Sequence, residues 1–118
     1  MGSELRNTGT ATILSLDGHI VAEEGSELRE KIETMLRAVT PVKVIDLTDI
    51  EFIDSFALGQ IVYYCNNAGG GSAPVYVLNR SANSGTYIDK LIEISELRQV
   101  FTIISSLDEI AGKSGHGG

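Results

Sequence analysis

The sequence predicts a single-domain α/β fold with a mixed, mostly parallel sheet. Short β-branched runs alternate with amphipathic helical segments along the chain, which is typical of parallel strands joined by helical crossovers. The first two β-prone runs follow one another directly and so predict one antiparallel pair. The chain has 118 residues, the length of one domain. The predicted order of elements is β-β-α-β-α-β-α-β-α.

The first elements are predicted to be a hairpin followed by a helix. Residues 10–16 have the alternation of a strand, and residues 19–22 are a second β-prone run. Asp17-Gly18 lies between them and favours a hairpin turn, because both central residues must tolerate positive φ. Ser26 is the predicted N-cap of the following helix. The apolar residues of that helix recur at helical spacing: Leu28, Ile32, Met35, Leu36 and Val39.

The middle of the chain predicts a buried strand, a loop and a second helix. Residues 42–47 are β-branched and apolar, which indicates an interior strand. Residues 48–54 are expected to form a loop. Ile50, Phe52 and Ile53 are its expected buried anchors. The second helix is predicted to run from about Ser55 to Ala68.

The last third of the chain completes the predicted fold. It is expected to contain a strand at 75–78, a helix within 84–93, a strand at 100–104 and a short closing helix around Leu107 and Ile110. The domain is therefore predicted to span residues 1–111. Residues 112–118 carry no anchoring apolar side chain and are expected to form a mobile tail.

Composition excludes several classes of function. The net charge of −7 argues against a surface for nucleic acid or anionic lipid, because phosphate contacts need clustered Lys and Arg. The single cysteine, Cys65, excludes a disulfide framework and a multi-Cys zinc site. We expect no metal site and no cofactor. A signal sequence and a membrane-spanning run are both missing from the sequence, so we expect a cytoplasmic protein without membrane insertion.

Two carboxylates could form a metal-binding pair. Asp46 and Asp54 bracket the loop after the third predicted strand, the edge of an open α/β sheet where ligands bind. Neither a companion lysine nor an acidic doublet supports a metal-binding site, so loop and capping roles are favoured. His19 follows a turn and is interpreted as a solvated residue.

The second helix carries an unusual outer face. Its inner stripe is predicted to be Leu58, Ile61, Val62 and Cys65. The opposite face carries Phe56, Gln60, Tyr63 and Asn67. Aromatic side chains on a solvent face are uncommon unless something covers them. Neighbouring helices or a second copy could shelter them, but a partner-docking surface is the favoured interpretation. Asp54 and Ser55 stand at the start of this helix as an N-cap pair.

The stretch from Val44 to Gly59 resembles the signature of the STAS domain family. In that signature a hydrophobic strand ends in Asp-Leu, a short loop leads to Phe-Ile-Asp-Ser, and a helix follows. The resemblance covers nearly the whole chain and implies the STAS fold. Within the family, the chain is similar to bacterial anti-sigma-factor antagonists. Phe56 and Ala57 replace the Ser and Gly that are common there, and Phe56 adds bulk beside the Ser55 hydroxyl.

The resemblance implies a regulatory binding switch that is a kinase substrate rather than an enzyme. Its implied partner is an anti-sigma factor with serine kinase activity, which would bind the loop and second helix and phosphorylate Ser55. A phosphatase is the partner implied for the reverse step. Asp54, Phe56, Gln60, Tyr63 and Asn67 are the predicted partner-binding residues. The alternatives are a permanently docked STAS subunit of a transporter ATPase or signalling scaffold, and a small nucleotide-binding or enzymatic α/β domain.

Overall fold

Five strands form one sheet whose spatial order, β1-β2-β3-β4-β5, is also their order along the chain. The computed structural model describes residues 1–67 and 75–110. The strands are β1 (Gly2–Asn7), β2 (Ala11–Ile20), β3 (Val42–Ile53), β4 (Val75–Leu78) and β5 (Thr102–Ile104). The helices are α1 (Gly25–Arg37), α2 (Ser55–Asn67), α3 (Tyr87–Ile94) and α4 (Leu97–Val100). The pairing of β1 with β2 is antiparallel, and the other three pairs are parallel. The predicted mixed, mostly parallel sheet is confirmed.

The helices pack on one face of the sheet. Each parallel strand is added on the same side of its predecessor, so right-handed crossovers bring every connecting helix to that face. The helix-side core contains Leu14, Ile45 and Val77 from the strands. Their sequence neighbours Ile13, Val44 and Leu78 point to the opposite face, because side chains alternate along a strand. There Ile13, Val44, Leu78 and Ile104 form a second cluster with Ile110.

Asp17-Gly18 forms a bulge, and the hairpin predicted there is wrong. β2 runs unbroken through both residues, and its register with β3 shifts on either side of them. Gly18 does adopt a positive φ of 78°, which the sequence indicates, but a bulge uses the same backbone freedom as a turn. The true hairpin turn lies upstream at Gly9, whose φ is 95°, and it joins β2 to a strand, β1, that sequence analysis missed.

Two boundaries around α1 and β3 also differ from the prediction. Residues Ala22–Glu24 form a 3-10 turn that leads directly into α1, so α1 begins at Gly25 and Ser26 is not its N-cap. The predicted loop at 48–54 is mostly strand, because β3 continues pairing with β2 as far as Ile53. Ile50 and Ile53 are buried as expected. Phe52 instead points outward and is 42% exposed.

The final segment follows the predicted order with one boundary shift. Val100 belongs to the short helix α4, and β5 begins only at Thr102. Residues 108–110 are helical, consistent with the predicted closing helix. The predicted last residue of α2, Ala68, and the predicted tail at 112–118 lie outside the described residues. Across the two described ranges, no helix is both long and apolar enough to cross a membrane.

Candidate functional site

Asp54 ties together three segments at the start of α2. Its Oδ1 accepts a hydrogen bond from the backbone N–H of Ala57 at 2.8 Å, and its Oδ2 accepts one from the N–H of Ala22 at 2.8 Å. Its own N–H donates to the carbonyl of Ile20 at 3.1 Å. The predicted capping role is confirmed by the bond to Ala57. The link to Ala22 was not predicted, because only the fold brings the 3-10 turn to this place.

Ser55 is the first residue of α2 and is exposed. The hydrogen bonds of the preceding residue, Asp54, fix the backbone that carries the Ser55 side chain. The first N–H groups of a helix lack partners within it, and they form the positive end of the helix dipole. The Ser55 hydroxyl therefore lies on a backbone that these bonds fix, at the positive end of the helix dipole and next to the Asp54 carboxylate.

The outer face of α2 exposes two aromatic rings. Phe56 is 56% exposed and Tyr63 is 60% exposed. The ring of Tyr63 packs edge-on against Tyr64, with 5.0 Å between their centroids. Gln60 is half-buried on this face. Asn67 ends the helix, and its side chain lies outside the described part of the structure.

The inner stripe of α2 is rotated relative to the prediction. The buried residues are Ala57, Ile61 and Cys65, whereas Leu58 and Val62 are only partly buried. The reason is that Leu58 and Val62 border a groove between α2 and α4 rather than the sheet. Burial raises the pKa of the Cys65 thiol to about 12, so this cysteine is a packed apolar group rather than a nucleophile.

α1 and α2 approach each other closely at Gly25. A Cβ atom on Gly25 would lie 2.8 Å from the Gln60 Oε1 and 3.2 Å from the Phe56 ring. The Gln60 Oε1 is buried there, and no hydrogen bond to it is found in the described residues. The contact shows why Gln60 is half-buried although it belongs to the outer face. A larger residue at position 25 would force the Gln60 side chain to move and press on the Phe56 ring, a constraint that the sequence pattern did not reveal.

Two shallow grooves flank the exposed face of α2. The first has a volume of about 410 Å³ and runs between α2 and α4, along Leu58, Val62, Leu97 and Val100. The second has a volume of about 420 Å³ and is lined by Phe56, Gln60, Tyr63 and Tyr64. Three residues line both grooves: Ser55, Gly59 and Tyr63. The predicted serine therefore opens onto both grooves.

The carboxylates weighed as a metal pair have separate structural roles. The buried carboxylate of Asp46 accepts hydrogen bonds from the backbone and hydroxyl of Thr48, and it forms an ion pair with Arg80 at 3.0 Å. His19 is exposed, as predicted, and lies 3.4 Å from the Glu51 carboxylate. In the part of the chain that the structure describes, no three His, Cys, Asp or Glu side chains are grouped to hold a metal ion.

Solved structures of anti-sigma factor antagonists share the fold of this chain. An anti-sigma factor antagonist from Mycobacterium paratuberculosis superimposes with a TM-score of 0.73 at 20% identity, over 95% of this chain and 92% of that one. The unphosphorylated anti-sigma factor antagonist SpoIIAA superimposes with a TM-score of 0.64 at 15% identity, over 99% of this chain and 100% of that one. SpoIIAA, a Bacillus cell fate determinant, has also been solved in a phosphorylated form. At these identities the likeness shows a shared fold.

Sequence comparison identifies the family. A STAS-domain containing protein of Pseudomonas aeruginosa is 28% identical over 96 residues, which cover 80% of this chain and 89% of that protein. The family model for the STAS domain matches residues 3–110, almost all of the described structure. The resemblance inferred from the stretch between Val44 and Gly59 is confirmed, and this chain belongs to the STAS domain family.

Proposed function

We propose that this protein is a regulatory binding switch of the anti-sigma-factor-antagonist type. An anti-sigma factor with serine kinase activity binds the start of α2 and its outer face, and this binding competes with the sigma factor. Phosphorylation of Ser55 by that kinase weakens the complex. The observation that carries the proposal is the placement of an exposed serine hydroxyl beside two exposed aromatic rings, Phe56 and Tyr63, on one helix.

The helix start can hold a phosphate without rearrangement of the fold. Asp54 already occupies the N–H of Ala57, so the positive end of the helix dipole is what favours an anion at this position. The Asp54 carboxylate also accepts hydrogen bonds from the N–H groups of Ala57 and Ala22, so the backbone is fixed before modification. Ser55 phosphate should therefore leave the folded domain intact.

The same phosphate should oppose partner binding. It adds about −1.5 to −2 charge at pH 7. The Asp54 carboxylate is on the adjacent residue, and the whole chain already carries −7. Burial of this charge against a partner carries a desolvation cost unless a cation pairs with it. The steric bulk of the phosphate beside the exposed Phe56 ring acts in the same direction, so modification favours release.

Calorimetry with a purified partner tests the switch. The probe is a histidine-kinase-like ATPase of the anti-sigma class encoded in the same genome, added to wild type, Ser55→Asp and Ser55→Ala. We expect Ser55→Asp to bind markedly more weakly and Ser55→Ala to bind as wild type does. Thr34→Asp is the matched charge control, because Thr34 carries an exposed hydroxyl on α1 that donates to the carbonyl of Glu30 within its own helix.

Phosphopeptide mapping after incubation with the kinase and ATP locates the modified residue. Phosphate on Ser55, and none on Ser55→Ala, is the expected result. Phosphate on another hydroxyl, or wild-type binding by Ser55→Asp, would contradict the switch. A complex that forms regardless of residue 55 would instead favour a permanently docked subunit of a transporter ATPase or signalling scaffold.

A further inference from the structure

Gly59 leaves a notch in the exposed face of α2. It lies one helical turn after Ser55, three residues after Phe56 and four before Tyr63, so these residues surround it on the helix surface. A Cβ atom built on Gly59 would meet no heavy atom of its surroundings within 4 Å. The notch is therefore open to solvent, and no described neighbour within the fold explains why residue 59 lacks a side chain.

The notch connects the two grooves of this face. The groove toward α4 is about 410 Å³ and the groove beside Phe56 is about 420 Å³, and both are lined by Gly59. The walls on the α4 side are apolar, with Val62 and Val100 among them. A side chain that enters over Gly59 thus reaches apolar surface on one side and aromatic rings on the other.

Charge around the notch indicates the chemistry of the occupant. None of the 13 residues of α2 is charged, although the chain carries −7 overall. The edges are acidic. Glu96 lines the groove at α4, and Glu23 is exposed in the turn that is hydrogen-bonded to Asp54. An uncharged centre with an acidic edge fits a partner surface that presents an apolar side chain surrounded by Lys or Arg.

We propose that the notch at Gly59 receives a bulky apolar side chain of the partner, flanked by basic residues that meet Glu96 and Glu23. The inference rests on the proposed function, since the occupant is the anti-sigma kinase itself. Ser55 is one turn away, so a partner seated in the notch also covers the serine hydroxyl. Phosphate on Ser55 then disrupts the contact from its edge, which links modification to release.

A side chain added at position 59 should affect stability and kinase binding in opposite directions. Gly59→Ala should raise the melting temperature, because alanine is favoured over glycine in a helix and the added methyl group meets open space. Binding of the purified kinase should fall by about tenfold or more, as expected when a central contact is lost. Gly59→Leu should weaken binding further. Thr34→Ala is the control: it raises helix propensity at an exposed position of α1, outside α2 and its grooves, and it should leave binding unchanged.

Charge at the edge gives a second measurement. Glu96→Lys should weaken binding of the same kinase and reduce the dependence of that binding on salt. Glu93→Lys, the same charge change at an exposed residue of α3 outside that groove lining, is its charge control and should bind as wild type does. If Glu96→Lys binds more tightly than wild type, the edge of the partner is acidic and the inference is wrong.

The outcomes distinguish this inference from the proposed function. Wild-type binding by Gly59→Ala, with weak binding by Ser55→Asp, would overturn the notch and leave the switch intact. Wild-type binding by both variants would overturn both. Light scattering of the isolated protein tests a second copy as occupant: a dimer that Gly59→Leu dissociates would overturn the kinase as the occupant. A monomer combined with weakened kinase binding supports the proposal.

Discussion

At the scale of single residues, Asp54 joins three segments: its backbone N–H bonds to β2, and its carboxylate bonds to the 3-10 turn and to α2. Asp54→Ala removes the acceptor for Ala57 and the acceptor for Ala22. We expect the free energy of unfolding to fall by about 1 kcal/mol or more, the usual cost of a lost helix cap. Phosphorylation of Ser55 should slow as well, because its backbone is less fixed. Urea denaturation and a kinase time course provide the two measurements.

The matched control for Asp54 is Asp49→Ala. Asp49 is an exposed aspartate of β3, so its removal changes the net charge equally without removing the cap. Its effect on unfolding should stay within about 0.5 kcal/mol. Equal destabilisation by both variants, or unchanged phosphorylation in Asp54→Ala, would remove the role assigned to Asp54.

Cys65 gives a second residue-scale prediction. The thiol is buried, and its pKa of about 12 leaves almost no thiolate at pH 8. An aromatic disulfide reagent should therefore label the native protein slowly and label it at once after unfolding in urea, with a single equivalent incorporated because Cys65 is the only cysteine. Rapid labelling of the folded protein would show that α2 opens in solution, or that Cys65 does not lie on the buried face of this helix.

At the scale of elements, the two faces of α2 should respond differently to substitution. Phe56→Ala and Tyr63→Ala remove largely exposed rings, so we expect stability to change by only about 0.5 kcal/mol. Kinase affinity should fall by about 1–2 kcal/mol for either ring if it anchors the partner. Ile61→Ala, on the buried face, is the comparison and should destabilise the fold by about 2–4 kcal/mol. Unfolding caused by Phe56→Ala would place that ring in the core.

The start of α3 gives a prediction about pH. Burial acts to raise the pKa of Asp89. Hydrogen bonds from Asn79 and from the backbone of Ser84, Gly85 and Thr86 outweigh it, so the pKa lies below the ordinary 3.8. A lowered pKa means that the carboxylate stabilises the folded state above about pH 3.8, and that this contribution is lost as pH falls through the lowered value.

Asp89→Asn removes that contribution. In the variant, an amide donor can face the N–H groups of Ser84 and Gly85, which both point at one carboxylate oxygen in the wild type. We expect the difference in unfolding free energy between wild type and variant to be full at pH 6 and to shrink below pH 3.8. The control is Glu93→Gln, at an exposed position of α3. A difference that is constant with pH would contradict the assignment.

The elements show where sequence analysis succeeds and where it stops. The existence of α1 and α2 and the β-branched character of residues 42–47 follow from local chemistry, so they were predictable. The faces were predicted less well: α1 ends at Arg37 and leaves Val39 exposed, and the buried stripe of α2 is rotated. The bulge at Asp17-Gly18 was not, because a turn and a bulge place the same demand on Gly18. β1 was missed because five of its six residues, Gly, Ser, Glu, Arg and Asn, lack an apolar side chain, and the sixth, Leu5, is neither β-branched nor aromatic. Only its pairing with β2 makes it a strand.

The candidate site was predictable only in part for a similar reason. The cap at Asp54, the exposed Ser55 and the outward rings of Phe56 and Tyr63 all follow from sequence position and helix geometry. The bond from Ala22, the packing of Gln60 on Gly25 and the groove beside α4 join residues far apart in the chain. No local pattern encodes such contacts, so they had to be seen in the fold.

At the scale of the whole molecule, the sheet has two unequal faces. The sequential strand order places α1 to α4 on one face. In the described residues, the other face has a smaller apolar cluster, and the segment after β5 contributes Leu107 and Ile110 to it. Stability of the domain should therefore depend on this segment although it lies far from α2. The proposed switch can then occupy one surface while a separate contact closes the opposite face of the sheet.

Ile110→Ala tests this division of the molecule. Ile110 is 8% exposed and packs with Ile13, Val44 and Ile104, so its truncation should lower the free energy of unfolding by about 2–4 kcal/mol. Ile94→Ala is the matched control, because the same side chain at the end of α3 is 83% exposed and its loss should change stability by about 0.5 kcal/mol at most. Urea denaturation of the three proteins supplies the values. Since Ile110 faces away from the helix layer, kinase binding by folded Ile110→Ala should match wild type below the unfolding transition. Equal stability of the two variants would show that the segment after β5 does not close the second face, and weakened binding by the folded variant would show that the two faces of the sheet are coupled.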